Sequence, residues 1–174
     1  MSKCPCPLLG FVAFSGTGKT TLLKQLIPLL KQQKLKIGLI KHAHHRFDID
    51  IPGKDSYELR KAGADQVLVA SQQRWAMITE TPVQKDDPAL SDMLAHLDQS
   101  RLDLILIEGF KHVAFPKLEL YRPTLGHPLL FPDDTDILAI ATDAPLQQET
   151  TLPVLDLNQP IAIADFIRQH ILAS

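Results

Sequence analysis

The segment from Leu8 to Lys34 constrains the fold of this chain more than any other. It begins with the apolar run LLGFVAF, whose length fits a strand that is buried on both faces. A loop with two glycines, AFSGTGKTT at residues 13–21, follows, and KTTLLKQLIPLLKQQK then carries leucines at helical spacing. We expect Pro28 to kink that helix or to loosen its last turn. A buried strand that passes through a glycine loop into an amphipathic helix is typical of an α/β domain.

The glycine loop matches the phosphate-binding pattern GxxxxGK[ST], except that Ala13 stands where the first glycine is usual. Gly16 and Gly18 allow backbone N–H groups to turn inward around a phosphate, and the N-terminus of the next helix adds partial positive charge. A small residue such as Ala13 fits where the strand leaves the sheet. The loop, which includes Ser15, therefore predicts nucleotide binding.

The side chains that follow the loop glycines suit a nucleoside triphosphate with magnesium. Lys19 is expected to bridge β- and γ-phosphate oxygens, and the Thr20 hydroxyl is expected to ligate Mg²⁺. Thr21 is expected to reach the α-phosphate.

Apolar runs and helical patterns alternate along the rest of the chain. We predict strands at residues 36–41, 104–107, 118–121, 136–142 and 153–157, helices at 53–64, 88–99 and 161–172, and a hairpin at 66–80. Helices that alternate with doubly buried strands favour an α/β fold with a mainly parallel sheet, helices on both faces and one inserted antiparallel hairpin.

Length and charge limit the remaining possibilities. The 174 residues favour a single domain at 8–174 after a flexible leader at 1–7, and the net charge of −2 gives no global attraction to nucleic acid. No apolar run approaches the roughly 20 residues that span a membrane, and the N-terminus lacks the apolar region of a signal peptide, so we expect a cytoplasmic protein without a membrane partner. Cys4 and Cys6 suit neither a disulfide framework nor a complete zinc site.

The run LILIE ends in Glu108, with Gly109 directly after it. Open α/β sheets place their ligands at the carboxyl ends of the strands, so we expect Glu108 to contact the Mg²⁺ or to orient an attacking water, and Gly109 to offer its N–H to the γ-phosphate. Asp103 lies at the opposite end of the same strand and is expected to be structural.

The stretch from Lys41 to Arg46 contains three histidines, His42, His44 and His45, and no acid. An anionic partner or a phosphate suits the flanking cations. A transition metal suits the histidines, and a solvated loop is the alternative without a ligand. The sequence alone leaves these three interpretations open.

Together, the phosphate loop, the block KHAHHRFDIDIPGKDS with its AGA tail, and LILIEGFK resemble the MobB family, over nearly the whole chain beyond the leader. The resemblance implies a three-layer P-loop NTPase fold, GTP as the nucleotide, usually a homodimer, and only feeble hydrolysis. It also implies a role as an adapter for the partner enzyme, a molybdopterin guanylyltransferase, that joins GMP from GTP to molybdopterin. For that anionic cofactor, the loop from Lys41 to Arg46 is our expected docking place.

The resemblance further implies roles for individual residues. It implies that Thr20 and Glu108 contact Mg²⁺ and that Asp50, Lys54 and Asp55 lie in a switch segment. Either aspartate is also a candidate helix cap. The resemblance also implies that the phosphates are contacted by Gly16, Thr17, Gly18, Lys19, Thr20 and Thr21.

The NKxD element that usually reads guanine is absent from the sequence. Asp143, which follows the predicted strand at 136–142, is the candidate replacement, and an ordinary turn residue is the alternative interpretation.

Other functions fit parts of the pattern. A small-molecule kinase would need an Arg-rich lid, for which residues 110–132 with Lys111, Lys117 and Arg122 are the only candidate of sufficient length. A nucleotide-gated metallochaperone would use the histidine cluster with Cys4 and Cys6. No arginine is an obvious arginine finger: Arg46 and Arg60 lie in or just after the switch-like segment, and the other arginines have no motif context. Turnover is therefore expected to depend on a partner or on a second subunit. We expect that subunit because the hairpin carries Trp75, Met77 and Ile78, which one domain must cover or pair with another chain.

Overall fold

The computed structural model describes residues 6–43, 47–81 and 87–173. The chain forms two compact units, one from the residues before Ala43 and after Pro88, and the other from Ala43–Pro88, which is inserted into it. In these three stretches no helix has the length and apolar character to cross a membrane. The expectation of a single domain over residues 8–174 stays a prediction.

The first unit is built on a six-stranded sheet whose paired strands are all parallel. The strands of this sheet are β1 (Leu8–Val12), β2 (Ile37–Lys41), β5 (Leu104–Glu108), β6 (Lys117–Tyr121), β7 (Ile137–Thr142) and β8 (Val154–Asp156). Across the sheet they follow the order β2-β5-β1-β6-β7-β8. The strands β3 (Gln66–Ala70) and β4 (Trp75–Thr79) belong to the inserted unit. Its helices are α1 (Lys19–Gln32), α3 (Leu90–Ala95) and α4 (Pro160–His170).

Both faces of this sheet are covered. Leu104 and Leu106 belong to the cluster that contains the apolar residues of α1 and α4. Ile105 and Ile107, which alternate with them, pack in a second cluster with Leu90 of α3. Since successive side chains of a strand point to opposite faces, the run LILI supplies both layers of core. The predicted three-layer α/β arrangement is confirmed.

The leucine stripe of α1 anchors the helix that follows the glycine loop. Leu22, Leu23, Leu26 and Leu30 are buried, and α1 continues through Pro28 to Gln32. Burial of one such side chain contributes about 1.5–3 kcal/mol. The start of α1, and with it the end of the loop, is therefore fixed by core packing.

One predicted helix had the wrong bounds. The helix predicted at 88–99 is confined to α3, because the backbone tightens after Ala95: His96 and Leu97 donate to carbonyls only three residues earlier. Cys6, which we assigned to a flexible leader, is 8% exposed in the second core cluster. Cys4 lies outside the described residues.

The inserted unit contains α2 (Asp55–Lys61) and a two-stranded antiparallel sheet of β3 (Gln66–Ala70) and β4 (Trp75–Thr79). The predicted hairpin is confirmed. The predicted helix is also present, but neither Asp55 nor Ser56 caps it: Lys54 occupies the N-cap position, and no side chain there accepts a hydrogen bond. Acidic side chains in the first turn still interact favourably with the helix dipole.

A buried arginine organises this unit. Arg60 of α2 contacts Asp48 at 2.6 Å and Glu80 at 2.5 Å, and it binds both carboxylate oxygens of Asp50, at 2.7 and 3.0 Å. The side chains of Arg60 and Asp50 are 6% and 4% exposed. Hydrogen bonds from Arg60 hold the pKa of Asp50 below its ordinary value. The arginine therefore ties together segments from both ends of the unit.

One face of the hairpin is apolar and exposed. Leu68 pairs with Met77 and Ala70 with Trp75, so these four side chains point to the same side. Leu68 is 63% exposed, Met77 46% and Trp75 69%. A two-stranded sheet is at best marginally stable by itself in water.

Replacing Arg60 with Met is expected to loosen the inserted unit, because three carboxylates then lose their cation. We expect amide hydrogen exchange in residues 47–81 to accelerate by about tenfold or more, and Arg74→Met, in the exposed hairpin turn, to change it little. In the unmodified protein the stabilisation from Asp50 is present above its ordinary pKa of 3.8 and is lost as the pH falls through its lowered value. Unchanged exchange in Arg60→Met would mean that the cluster does not hold the unit together.

Candidate functional site

The glycine loop leaves the sheet at the carboxyl end of β1 and enters α1. Gly16 and Gly18 have φ values of 80° and 103°, in the left-handed region that favours glycine, and Gly18 is the N-cap of α1. Thr17 is 3% exposed, and its hydroxyl donates to the Phe14 carbonyl at 2.9 Å. The loop is thus a defined turn, with Ser15 and Gly16 exposed on its outer side.

Lys19 lies over this loop. Its Nζ donates to the carbonyl of Ala13 at 2.8 Å and to that of Phe14 at 3.3 Å. Burial lowers the pKa of Lys19; Glu108 acts in the opposite direction, and Lys41 and Lys111 add to the lowering. The positive charges of Lys41 and Lys111 thus act on Lys19 at the loop, and this accumulation of charge favours binding of a polyphosphate.

Glu108 ends β5 beside the loop, since β5 pairs with β1. Its side chain is 14% exposed, and its Oε2 lies 3.5 Å from Lys41 Nζ. Gly109 has a φ of 104°, and a Cβ at this position would lie 2.5 Å from His42 Cβ. The chain therefore turns away from β5 in a conformation that requires glycine, with the Glu108 carboxylate at the ligand edge of the sheet.

Asp103 lies at the other end of β5. Its Oδ2 accepts a hydrogen bond from the Lys36 backbone N–H at 2.8 Å. It joins the start of β2 to the start of β5, as expected of a structural residue.

Arg122, which the sequence analysis named only as part of a candidate kinase lid, is a residue of this site. It follows β6 directly, its Nε donates to the Thr17 carbonyl at 2.9 Å, and its Nη1 donates to Asp143 Oδ2. Its Nη2 lies 3.7 Å from the place that a Cβ on Gly18 would take. The available signal was its position after an apolar strand, the same position that identified Glu108 and Asp143.

Asp143 follows β7, which pairs with β6. One carboxylate oxygen accepts from Arg122, whereas the other, Oδ1, is buried and has no hydrogen-bond partner among the residues that the structure describes. An unpaired buried acceptor costs about 1–3 kcal/mol, so a ligand that donates to Oδ1 gains an unusually favourable contact.

The remaining predicted residues lie in other surroundings. Asp50, Lys54 and Asp55 belong to the inserted unit, where Asp50 is bound to Arg60 and the other two begin α2. Of the histidine cluster, His42 stacks on Phe110 with ring centroids 4.8 Å apart. His44, His45 and Arg46 lie outside the described residues.

The segment considered as a kinase lid is part of the fold. β6 pairs with both β1 and β7, and Lys117 is 1% exposed and bound to Asp134 at 2.8 Å. Glu119 accepts from the backbone N–H groups of Leu130 and Phe131, and burial raises the pKa of its carboxyl group. These contacts pin the residues after β6 against the sheet.

The donors near the loop suit magnesium. The Thr20 side chain is exposed in the first turn of α1, and Glu108 supplies a carboxylate at the neighbouring strand end. Mg²⁺ usually takes one or two protein oxygens and completes its shell with phosphate oxygens and water, so this donor set fits an ion that binds together with a nucleotide. Within the described stretches no group of three or more His, Cys, Asp or Glu is arranged to hold a metal.

The parallel sheet, the glycine loop after β1 and the helix that begins at Lys19 define a three-layer P-loop NTPase fold. Within that class, the model of the family MobB, molybdopterin guanine dinucleotide synthesis protein B, matches residues 8–143. The chain belongs to this family, as its resemblance predicted.

The similarity to other proteins extends over nearly the whole chain. The molybdopterin-guanine dinucleotide biosynthesis adapter protein of Escherichia coli K12 is 52% identical over 166 residues, which cover 95% of this chain and 93% of that protein. The adapter protein of the same name from Haemophilus influenzae is 45% identical and covers 92% of this chain and 87% of its own length.

Solved structures share the fold. The crystal structure of Bacillus subtilis MobB has a TM-score of 0.73 at 23% identity and covers 97% of this chain and 99% of its own. A MobB homolog from Bacillus stearothermophilus has a TM-score of 0.69 at 22% identity, over 96% and 99% of the two chains.

Proposed function

We propose that this protein is a GTP-binding adapter in the biosynthesis of molybdopterin guanine dinucleotide. It binds GTP with Mg²⁺ at the loop of residues 13–21 and assists the partner enzyme that joins GMP to molybdopterin. The names of its relatives in Escherichia coli and Haemophilus influenzae support the adapter role. The nucleotide and the metal are supported by the geometry of the site.

One observation carries the nucleotide assignment. At one edge of the sheet, the positive charges of Lys19, Lys41 and Lys111 act at the phosphate loop, and Asp143 has a buried carboxylate oxygen without a partner among the described residues. The loop suits the triphosphate, with Gly16, Thr17, Gly18, Lys19, Thr20 and Thr21 as contacts and Gly109 N–H directed to the terminal phosphate. Asp143 suits guanine, because a carboxylate accepts from the adjacent N1–H and 2-amino groups of that base.

Adenine presents a different edge. At the positions equivalent to guanine N1–H and 2-NH₂ it has a ring nitrogen that accepts and a C–H group. A carboxylate that faces a ring acceptor repels it and stays unpaired, so Asp143 favours GTP over ATP. Hydrolysis is expected to be slow without a partner, since a missing transition-state cation commonly costs about 10³ to 10⁵ in rate.

Calorimetric titration of GTP and of ATP, each with Mg²⁺, into the full chain tests the nucleotide assignment. We expect clear GTP binding and weaker ATP binding. Equal or stronger ATP binding would leave the fold intact and would remove the guanine assignment. The adapter role is tested separately, by adding the protein to the purified partner enzyme with GTP and molybdopterin and following guanine dinucleotide formation.

The partner and the cofactor need a docking surface. Lys41 is 56% exposed at the end of β2 and begins the basic loop that runs to Arg46. The cations of this stretch of sequence suit the phosphate group of molybdopterin. Acidic replacements at His44, His45 and Arg46, with Lys41 beside Glu108 left unchanged, should then reduce the assistance given to the partner enzyme while the protein still binds GTP.

Replacing Glu108 with Gln is expected to lower the GTP hydrolysis rate by about 100-fold and to change GTP affinity far less. The amide keeps the size of the side chain but loses the charge that holds Mg²⁺ or orients water. Single-turnover hydrolysis measured beside calorimetry separates the two effects. Asp103→Asn, at the opposite end of the same strand, is the matched control and should keep the rate; equal turnover in Glu108→Gln would discard the assignment.

A further inference from the structure

A single arginine connects two parts of the site that come from different strands. Arg122 leaves the sheet between the glycine loop after β1 and Asp143 after β7, because β6 lies between those two strands. Its guanidinium donates to the Thr17 carbonyl on one side and to Asp143 on the other. Both acceptors are thus held by one planar group with fixed donor directions.

The hydrogen bond from Arg122 to the Thr17 carbonyl lies in the part of the loop that would bind phosphate. Thr17 lies between the two glycines of left-handed conformation, Gly16 and Gly18, and its carbonyl points to Arg122. When a peptide carbonyl is held on one side of a turn, the N–H groups next to it are directed toward the other side. The arginine thereby fixes the peptide planes that would surround the phosphate.

The hydrogen bond from Arg122 to Asp143 fixes the carboxylate that would bind the base. Arg122 holds Oδ2, which fixes the carboxylate plane and leaves the buried Oδ1 as the unpaired acceptor. Each carboxylate oxygen has two lone pairs, so Oδ2 can still accept a second hydrogen bond beside that from Arg122. The pair therefore holds two acceptors in a set orientation, as adjacent N–H donors on a purine require; the Asp143 side chain is 20% exposed, and a purine reaches Oδ1 by displacing the atoms that cover it.

We infer that Arg122 is the positioning residue for base selection: it orients Asp143 toward the guanine edge and ties that carboxylate to the phosphate loop, so that base and phosphates are recognised together. Arg122 and Asp143, from two neighbouring strands, then replace the NKxD element that the sequence lacks. This inference rests on the proposed function, since it deepens the assignment of GTP to this site.

A merely structural arginine and a positioning arginine differ in one measurable quantity. If Arg122 only stiffens the loop, its loss weakens all nucleoside triphosphates by the same factor. If it also orients Asp143, its loss weakens GTP more than ATP. The ratio of the two dissociation constants therefore separates the two roles.

The test is calorimetry with GTP, ATP and xanthosine triphosphate on wild type, Arg122→Ala, Arg122→Lys, Asp143→Asn and the double variant Arg122→Ala/Asp143→Asn. We expect Arg122→Ala to reduce GTP affinity about 10- to 100-fold and ATP affinity less. Arg122→Lys should give an intermediate ratio, because one ammonium group keeps the charge without the planar arrangement of donors. Arg168→Ala, which changes an exposed side chain of α4, is the control and should leave all three affinities unchanged.

The Asp143→Asn variant tests directly whether this side chain binds the base. Asparagine can donate to the 2-oxo group of xanthine where aspartate accepts from the 2-amino group of guanine, so this variant should lose GTP and gain xanthosine triphosphate. In its background, the further loss of Arg122 should leave the GTP to ATP ratio unchanged, because the arginine acts on that ratio through Asp143.

The outcomes separate the inference from the proposed function. A wild type that does not prefer GTP to ATP would overturn both. A wild type that prefers GTP, together with Arg122→Ala and Arg122→Lys variants that keep the wild-type ratio, would overturn the positioning role of Arg122 and leave the proposed function standing. Circular dichroism of each variant confirms that the comparison is made between folded proteins.

Discussion

Replacing Lys19 with Ala should abolish measurable GTP binding at concentrations that saturate the wild type. The ammonium group makes charge-assisted hydrogen bonds to phosphate oxygens, each of which contributes about 1.5–3 kcal/mol, and two of them correspond to a loss of at least about 100-fold. The group is already positioned, since Lys19 Nζ lies 2.8 Å from the Ala13 carbonyl at the start of the loop. Calorimetry measures the loss directly.

Lys31→Ala is the matched control, because Lys31 is an exposed lysine in the last turn of the same helix. It should keep the wild-type affinity. GTP binding by Lys19→Ala at wild-type strength would place the phosphate site elsewhere in the chain. Assistance to the partner enzyme should fall together with GTP binding if the adapter acts in its nucleotide-bound form.

The lowered pKa of Lys19 adds a second measurement on the same pair of proteins. Phosphate binds the protonated amine, so nucleotide affinity falls as the pH rises through the pKa of Lys19. Because that pKa is lowered, the fall in affinity begins below the ordinary lysine value of 10.5. ATP is the suitable probe, because its triphosphate is fully ionised in alkaline solution and adenine does not titrate there, whereas the N1–H of guanine does. Lys19→Ala should lack this part of the pH dependence.

Placing a charge on the exposed face of the hairpin should convert a dimer into a monomer. Leu68 and Met77 lie opposite each other in the middle of that face, with Trp75 beside them. In a dimer formed through this face, Leu68→Lys would bury an ammonium group against apolar side chains. We expect the dissociation constant to rise by at least about 100-fold. Equilibrium sedimentation of the full chain at micromolar concentration measures it.

Val69→Lys provides the control, since Val69 is a neighbouring exposed residue whose side chain points to the other face of the same strand. It should remain dimeric. Trp75 is the only tryptophan in the sequence, so its emission should shift to shorter wavelength as the dimer forms on concentration. A wild type that sediments as a monomer would refute the homodimer that the hairpin and the family resemblance predict.

The sheet was predictable because its strands are continuous apolar runs. Leu104–Glu108 in β5 illustrates this: Leu104, Ile105, Leu106 and Ile107 are all 0% exposed, as a strand with two covered faces requires. The hairpin was predictable because two runs typical of strands are separated by a short polar turn. Helix ends were less predictable, since the end of α3 depends on local backbone tightening that no residue type near His96 announces.

The site was predictable only where one short segment carries the chemistry. The loop from Ala13 to Thr21 could be assigned because strand, glycines, lysine and helix follow one another in the sequence. Arg122 could not, because its role depends on contacts with Thr17 and Asp143, which are 105 and 21 residues away. Asp50 shows the converse case: its segment suggested a switch, and its carboxylate is bound by a buried arginine ten residues later.

The close approach of Gly109 to His42 has a consequence for how the sequence can change. A Cβ at position 109 would lie 2.5 Å from the Cβ of His42, so any other residue at 109 requires β2 and β5 to separate where they leave the sheet. The Glu108 carboxylate would then move away from the start of the basic loop. Position 109 is therefore expected to stay glycine for as long as position 42 carries a Cβ.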